Sequence, residues 1–304
     1  MIYGEDTPMN QNPLQVTIKD EVSLEGVGLH TGNKCRITFR PAPANTGIRF
    51  FRADMPGIPM IPARLGFVVT TVRGTNLGLG DAKVHTVEHV LSACTGLGID
   101  NLDILTTANE PPIMDGSSLP FVEALLRAGL VDLDAPKRWL HLPHEVTYEA
   151  KDGARYRAVP SDRFEVAATL IHDHPMMPKM TLTMSVDRES YLGEVARART
   201  FCFEYEVAYL KSQGLAQGGS LENAIVIGKD KFHTNAEGLR FADEFVRHKM
   251  LDLIGDLTLI GRPLFKMRIE AERLGHAHNV EFAKLLDEAA KKSRKPKTRI
   301  LEAK

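Results

Sequence analysis

Cysteine is scarce in this sequence. Only Cys35, Cys94 and Cys202 occur among 304 residues, far apart and with no CxxC pair. That excludes a disulfide framework and suits a reducing compartment, with each thiol a small buried hydrophobe. Long apolar runs are missing as well: none approaches the about 18 residues that a bilayer-crossing helix needs. Met1–Gln15 is polar and has no apolar stretch of the kind a secretory signal carries, so it reads as a loose leader. Nor does one sign of charge dominate, since 38 basic residues face 39 acidic ones for a formal net charge of -1. A global positive field for nucleic acid is therefore excluded. These absences leave a soluble, cytoplasmic chain with no transmembrane segment and no nucleic-acid partner as the expectation.

What is present is globular. Hydrophobic residues make up 43% and charged residues 25% of the chain, both near the average for folded domains. At roughly 150 residues per domain, the length suits about two. In the first half, Val16–Leu24, Lys34–Arg40 and Ile48–Arg52 read as strands. Val84–Gly96 switches to helical period, with Val87, Leu91 and Cys94 on one face. Asn101–Thr106 returns to strand, and Phe121–Ala128 reads as a short helix with Ser117 or Ser118 as its N-cap. Asp132–Lys137, charged and containing Pro136, reads as the boundary. Strands follow at Glu145–Glu149, Ala154–Pro160, Phe164–Ile171 and Ala224–Ile227. Helices are expected from Val195 onward, at Glu204–Ser212 and at Arg240–Leu257. Each half therefore suggests an α+β unit, a sheet covered by helices.

Two constellations carry chemistry. On a helix, His85, Glu88 and His89 would share one face at i, i+3 and i+4. Adjacent Glu-His allows the histidine to hold a metal while the carboxylate handles a water proton. His248, Asp252 and Asp256 recur at i, i+4 and i+8, continuing the apolar stripe of Phe241 and Phe245. Carboxylates on such a stripe must be paired or metal-bound. Together the two helices offer two histidines and a carboxylate as ligands, which leaves a fourth position open as in catalytic zinc. Gly275-His276 reads as a turn, and a cationic His276 would need a carboxylate to hold it, for which Asp256 is the candidate. Arg197 and Arg199 are candidate cations for an anionic substrate. Gly26–Gly32 reads as a strand-linking turn, and His172–His174 as a loop. A zinc peptidase using His85 and His89 as a ligand pair is one rival; a binding module with a structural metal or none is another.

Ordered segments along nearly the whole chain then carry a resemblance. They are Gly26-Val-Gly-Leu-His30, Thr86-Val-Glu-His-Val-Leu-Ser-Ala93, Gly96–Asn101, Pro112–Ser117, Ala196–Phe201, Gly218–Val226, His248–Asp256 and Gly275-His276. In these the sequence resembles the zinc-dependent UDP-3-O-acyl-N-acetylglucosamine deacetylases, which carry out the committed step of lipid A synthesis in Gram-negative bacteria. The resemblance implies two α+β domains of similar topology with the active site between them. It implies Zn2+ on His89, His248 and Asp252, with Glu88 as general base. It also implies His276 as cationic acid or electrostatic stabiliser held by Asp256, Lys249 as a substrate-contacting cation and Thr200 as the hydroxyl that polarises the amide carbonyl. The expected organisation is a flexible leader (1–15), an N-terminal domain (16–134), a C-terminal domain (138–290) and a basic tail (291–304). An insert near 192–214 is expected to form a passage for the acyl chain. The expected partner is a UDP-sugar bearing a 3-O-acyl chain, bound by a monomer with peripheral membrane contact. A bell-shaped rate profile is expected, with Glu88 giving the acidic limb and His276 the basic one.

Overall fold

Residues 12–294 are described by a computed structural model; residues 1–11 of the expected leader and 295–304 of the basic tail lie outside the described residues. The first half contains β1 (Leu14–Ile18), β2 (Val22–Val27), β3 (Lys34–Pro41), β4 (Ile48–Arg52), β5 (Met60–Pro62), β6 (Val68–Thr70), β7 (Asn76–Leu79) and β8 (Ala82–Val84). It continues with α1 (Glu88–Gly96), β9 (Leu102–Thr106), α2 (Leu119–Arg127) and β10 (Leu130–Pro136). The second half contains β11 (Val146–Glu149), β12 (Arg155–Pro160), β13 (Glu165–Leu170), β14 (Met180–Ser185), α3 (Arg188–Glu194), β15 (Phe201–Phe203) and α4 (Glu204–Ser212). It ends with β16 (Ile225–Ile227), β17 (Phe232–His233), α5 (Glu244–Thr258), β18 (Met267–Glu272) and α6 (His276–Arg294).

This is an α+β fold, and its two halves share a topology. One five-stranded sheet has the order β2-β3-β9-β4-β5, the other β11-β12-β18-β13-β14. In each, one neighbouring pair is parallel, β4 with β9 and β13 with β18, and the rest are antiparallel. Each half inserts a small three-stranded sheet, β6-β7-β8 or β15-β16-β17, before its central helix. Alternation puts Cys35, Ile37 and Phe39 of β3 and Met267, Ile269 and Ala271 of β18 into the core. The central helices α1 and α5 are buried on nearly every side, as befits helices inside a core. They approach closely because Gly255 has no side chain: a Cβ there would lie 2.1 Å from the Glu88 carbonyl oxygen. At their far ends the Thr95 and Thr258 hydroxyls meet at 2.6 Å.

Several expectations change. Val16–Leu24 is two strands, broken where Lys19 and Asp20 donate to the carbonyls of Gly129 and Ala128. Gln15 and Leu14 belong to β1 rather than to a leader. Asp132–Pro136 is not a linker but most of β10, paired with β1, so the chain leaves the first half after it. No helix runs from Val195: α3 ends at Glu194, started by Asp187, whose carboxylate accepts from the Ser190 amide. Cys202 is half-buried, unlike Cys35 and Cys94.

Candidate metal centre

The helix that carries Glu88 and His89 starts later than its period suggests. Thr86 holds a φ of +51°, outside helical conformation, so His85 precedes α1 instead of sharing a face with it. Asn76 fixes this turn: its Oδ1 accepts from the Thr86 amide at 3.1 Å and lies 3.1 Å from His85 Nδ1. Glu110, fully buried, holds the same turn from the other side, accepting from the Thr86 hydroxyl at 2.9 Å. It also accepts from the Thr31 amide at 2.8 Å, which ties the glycine turn after β2 to the entrance of α1. His85 is thereby engaged with Asn76 and stands outside the metal-ligating cluster, which removes the His85–His89 ligand pair.

Among the described residues, His89, His248 and Asp252 form one buried cluster whose ligand atoms all lie within 4.8 Å of one another. His248 Nε2 is 3.4 Å and His89 Nε2 3.9 Å from the same oxygen, Asp252 Oδ1. That oxygen is buried and has no hydrogen-bond partner, a costly arrangement unless a cation sits there. His248 Nδ1–H donates to the Ala198 carbonyl at 3.0 Å, which leaves Nε2 as the free lone pair. Burial, reinforced by His248, pushes the His89 imidazole down to about 3, so it is neutral. Burial resists ionisation of Asp252, but its neighbours His248, Lys249 and His276 hold its carboxyl well below the usual range, while burial lowers the His248 imidazole. Two neutral imidazoles and one carboxylate are a donor set for a divalent transition-metal ion with an open position.

Around this cluster sit two titratable groups with shifted pKa values. Glu88 Oε2 accepts from the Thr75 amide at 2.9 Å. Burial, with Asp256 and Asp252 adding to it, raises the Glu88 carboxyl to about 7 against the opposing pull of His276. His276, the first residue of α6, places Nε2 3.9 Å from Glu88 Oε1 and 3.8 Å from Asp252 Oδ2. Its Nδ1–H donates to Asp256 Oδ2 at 3.0 Å. Burial works against the imidazolium, yet Asp256, Glu88 and Asp252 together raise it to about 9. Asp256 is held in turn by the Thr75 hydroxyl at 2.5 Å and the Asn279 amide at 2.8 Å. Tyr156 donates to Asn279 at 2.6 Å. Thr75, Asn279, Tyr156 and Glu110 were not expected from the sequence, because each acts through a partner distant in the chain.

The remaining expected residues divide. Lys249 Nζ is 2.7 Å from Asp252 Oδ2 and 5.4 Å from the centre of the Phe201 ring, so it holds the second oxygen of the cluster's carboxylate. Thr200 is half-buried and anchored by its backbone, donating to Gly116 and accepting from Ile225, both at 2.9 Å. It precedes Phe201, whose ring lies 6.1 Å from that of His248. Arg199 is not available to an anion: it is 1% exposed and paired with fully buried Glu244 at 2.8 Å. Arg197 is exposed and lies 6.0 Å from the Phe241 ring. His172 and His174 lie tilted against the Phe203 ring, with ring centres 4.2 and 5.0 Å away. Ser118 occupies the N-cap position of α2, but its hydroxyl donates to the His89 carbonyl at 2.8 Å instead of capping.

Comparison with known proteins gives the family. The family described as LpxC, UDP-3-O-acyl N-acetylglycosamine deacetylase, matches residues 15–288. A bifunctional enzyme LpxC/FabZ from Chlorobaculum tepidum is 42% identical over 92% of this chain, which spans 65% of that protein's length. A UDP-3-O-acyl-N-acetylglucosamine deacetylase from Pseudomonas entomophila is 46% identical over 90% of this chain and 89% of the relative. By the extent of the family match and by these identities, the chain belongs to the LpxC family of UDP-3-O-acyl N-acetylglycosamine deacetylases.

Proposed function

We propose that this chain is a zinc-dependent deacetylase. Its reaction is hydrolysis of the 2-acetamido group of UDP-3-O-acyl-N-acetylglucosamine to acetate and UDP-3-O-acyl-glucosamine, the committed step of lipid A biosynthesis. The observation that carries this reading is the approach of Glu88 and His276, 3.9 Å apart, beside the partnerless oxygen of Asp252. His89, His248 and Asp252 would hold the Zn2+ ion. When bound, the ion supplies Lewis acidity toward water and the amide carbonyl.

The chain's own residues supply the rest. Glu88, raised to about 7, takes a proton from the attacking water as the carbon–oxygen bond forms. A general base tuned in this way contributes about 10²–10⁴-fold. Negative charge then develops on the carbonyl oxygen, and cationic His276 faces it, with the Thr200 hydroxyl as a second donor. The amine leaves with a proton from His276 or from Glu88. Asp256 keeps His276 charged and oriented through the 3.0 Å hydrogen bond. Lys249 is assigned to the anionic substrate together with its pairing to Asp252.

The two halves, expected over 16–134 and 138–290, are assigned as domains, the first extended to take in all of β1 and β10. The insert near 192–214 is assigned to the acyl chain: it carries β15 and α4, with Phe203 and Leu210 buried beneath exposed Tyr205 and Tyr209. Free cysteines support a reducing compartment such as the cytoplasm, and among the described residues no helix is long and apolar enough to cross a membrane. The decisive assay is acetate release from the acylated UDP-sugar with and without a chelator. Release that stops with chelator and returns with zinc is expected. Release indifferent to the chelator, or no release, would overturn the reading.

A further inference from the structure

A cavity unrelated to the chemistry above lies at the far ends of α1 and α5. It encloses about 570 Å3, inside the roughly 300–1,000 Å3 of small-molecule sites. Thr95 at the end of α1 and Leu257 and Thr258 at the end of α5 form part of its wall. His89 and Asp252 lie roughly 9 Å back along the same helices, at about 1.5 Å per residue. No residue assigned to the metal centre lines this space.

Positive charge is concentrated there, although the chain as a whole carries -1. Arg64, Lys137, Arg138, Arg262 and Lys291 line it against two carboxylates, Asp100 and Asp287. Three of these cations have structural work. Lys137 binds Asp100 at 2.7 Å and the Gly98 carbonyl at 2.9 Å, offsetting the carbonyl end of α1. Arg262 and Lys291 both hold Asp287, at 2.8 and 2.5 Å. Arg64 and Arg138 are different, because among the described residues no carboxylate pairs with either. Arg64 reaches a backbone carbonyl, that of Ile260, at 3.3 Å. Burial disfavours its charge, and the nearby Asp287 that favours it is already held by two other cations.

The backbone is nevertheless shaped around Arg64. Gly47 and Gly261, one from each half, have φ of +71° and +69°, and a Cβ on them would lie 2.9 and 1.1 Å from guanidinium nitrogens. Two left-handed positions therefore make room for one cation that lacks a carboxylate partner. Beside it the wall turns apolar and aromatic, with Trp139, Phe164 and Leu264. Offsetting helix ends explains Lys137 but neither Arg138 nor this wall.

We infer that this cavity is a second ligand site, for a small organic anion. Its acid group, a phosphate ester or a carboxylate, is held by Arg64 and Arg138, and its planar apolar body lies against Trp139. Guanidinium forks suit both acids. Trp139 is the single tryptophan of the chain, so its fluorescence reads the cavity directly. Phenyl phosphate, benzoate, inorganic phosphate and phenol are titrated into the full-length, metal-loaded protein, with calorimetry in parallel. Saturable binding of phenyl phosphate or benzoate is expected, the tighter one identifying the acid group, with phenol and inorganic phosphate weaker by about tenfold or more. Arg64→Gln and the exposed Arg138→Gln should each weaken binding by a similar factor, while KM for the acylated UDP-sugar stays unchanged. The inference is overturned if neither organic anion saturates, or if phenol or inorganic phosphate binds as well. Wild-type affinity in either variant, or displacement of the probe by UDP, also overturns it, the latter because the anion would then sit at the catalytic site.

Discussion

In the first half of the molecule the central helix, α1, has 9 residues and carries Glu88 and His89 in its first turn. In the second half the helix at the equivalent place, α5, has 15 residues and carries His248, Asp252 and Asp256 along its length. The surrounding sheets share strand order and strand direction, yet the chemistry is divided unequally. A first turn is reached by neighbouring backbone donors, so Glu88 can accept from Thr75 and remain a proton acceptor. A mid-helix residue has its own backbone satisfied, so its side chain is free to be fixed by other elements. Asp256 is fixed in this way by Thr75, His276 and Asn279. The comparison teaches that the shared scaffold demands a pattern of burial, not particular residues. One helix can then specialise in moving a proton and the other in holding charge.

That division can be broken from either side. The largest effect should come from the first half: Glu88→Gln is expected to lower turnover by about 10²–10⁴-fold while zinc content, read by elemental analysis, is unchanged. Loss of the metal would make Glu88 a ligand and erase the distinction between the helices. From the second half, Asp256→Asn should lower turnover by about 10–100-fold, as for other supporting partners of a metal site. Its pH profile carries the sharper signature. His276 is raised to about 9 with Asp256 the strongest of the charges that oppose its burial. Removing that charge lowers its pKa, so the cation is lost earlier as pH rises and the alkaline limb of kcat/KM moves to lower pH. An unmoved limb would separate Asp256 from the acid.

The smallest effect tests how closely the halves must meet. Gly255→Ala puts a Cβ 2.1 Å from the Glu88 carbonyl, and overpacking of this kind costs about 1–3 kcal/mol. Gly193→Ala, in helix α3 with open space around it, should be neutral or stabilising by up to about 1 kcal/mol. Urea unfolding of the two variants side by side would show whether the contact between α1 and α5 is as tight as described.

Much of the site could be read from spacing. His248, Asp252 and Asp256 form a stripe on a true helix, and His89 with its adjacent Glu88 was visible beside them. His85 misled for a physical reason: the positive φ of Thr86 and the bond to Asn76 interrupt the helical period between positions that match it in sequence. Strands β5 to β8 were missed because three or four residues are too few to display alternation. Helix α6 was read as a turn at Gly275-His276, yet His276 is its first residue. Thr75 and Asn279 left no local signal, since they meet Asp256 across 181 and 23 positions. Arg199 shows the same limit from the other side. Its sequence neighbours suggested a substrate cation, whereas Glu244, 45 positions away, holds it in the interior.

The central claim is that a single metal is held jointly by the two halves. It is tested most directly by zinc affinity, measured by competition with a chromophoric chelator, for the wild-type protein, His89→Ala and Asp252→Ala. The account predicts one zinc per wild-type chain and a large loss of affinity in both variants, the one altered in α1 and the one altered in α5. Wild-type zinc affinity in either variant would contradict it.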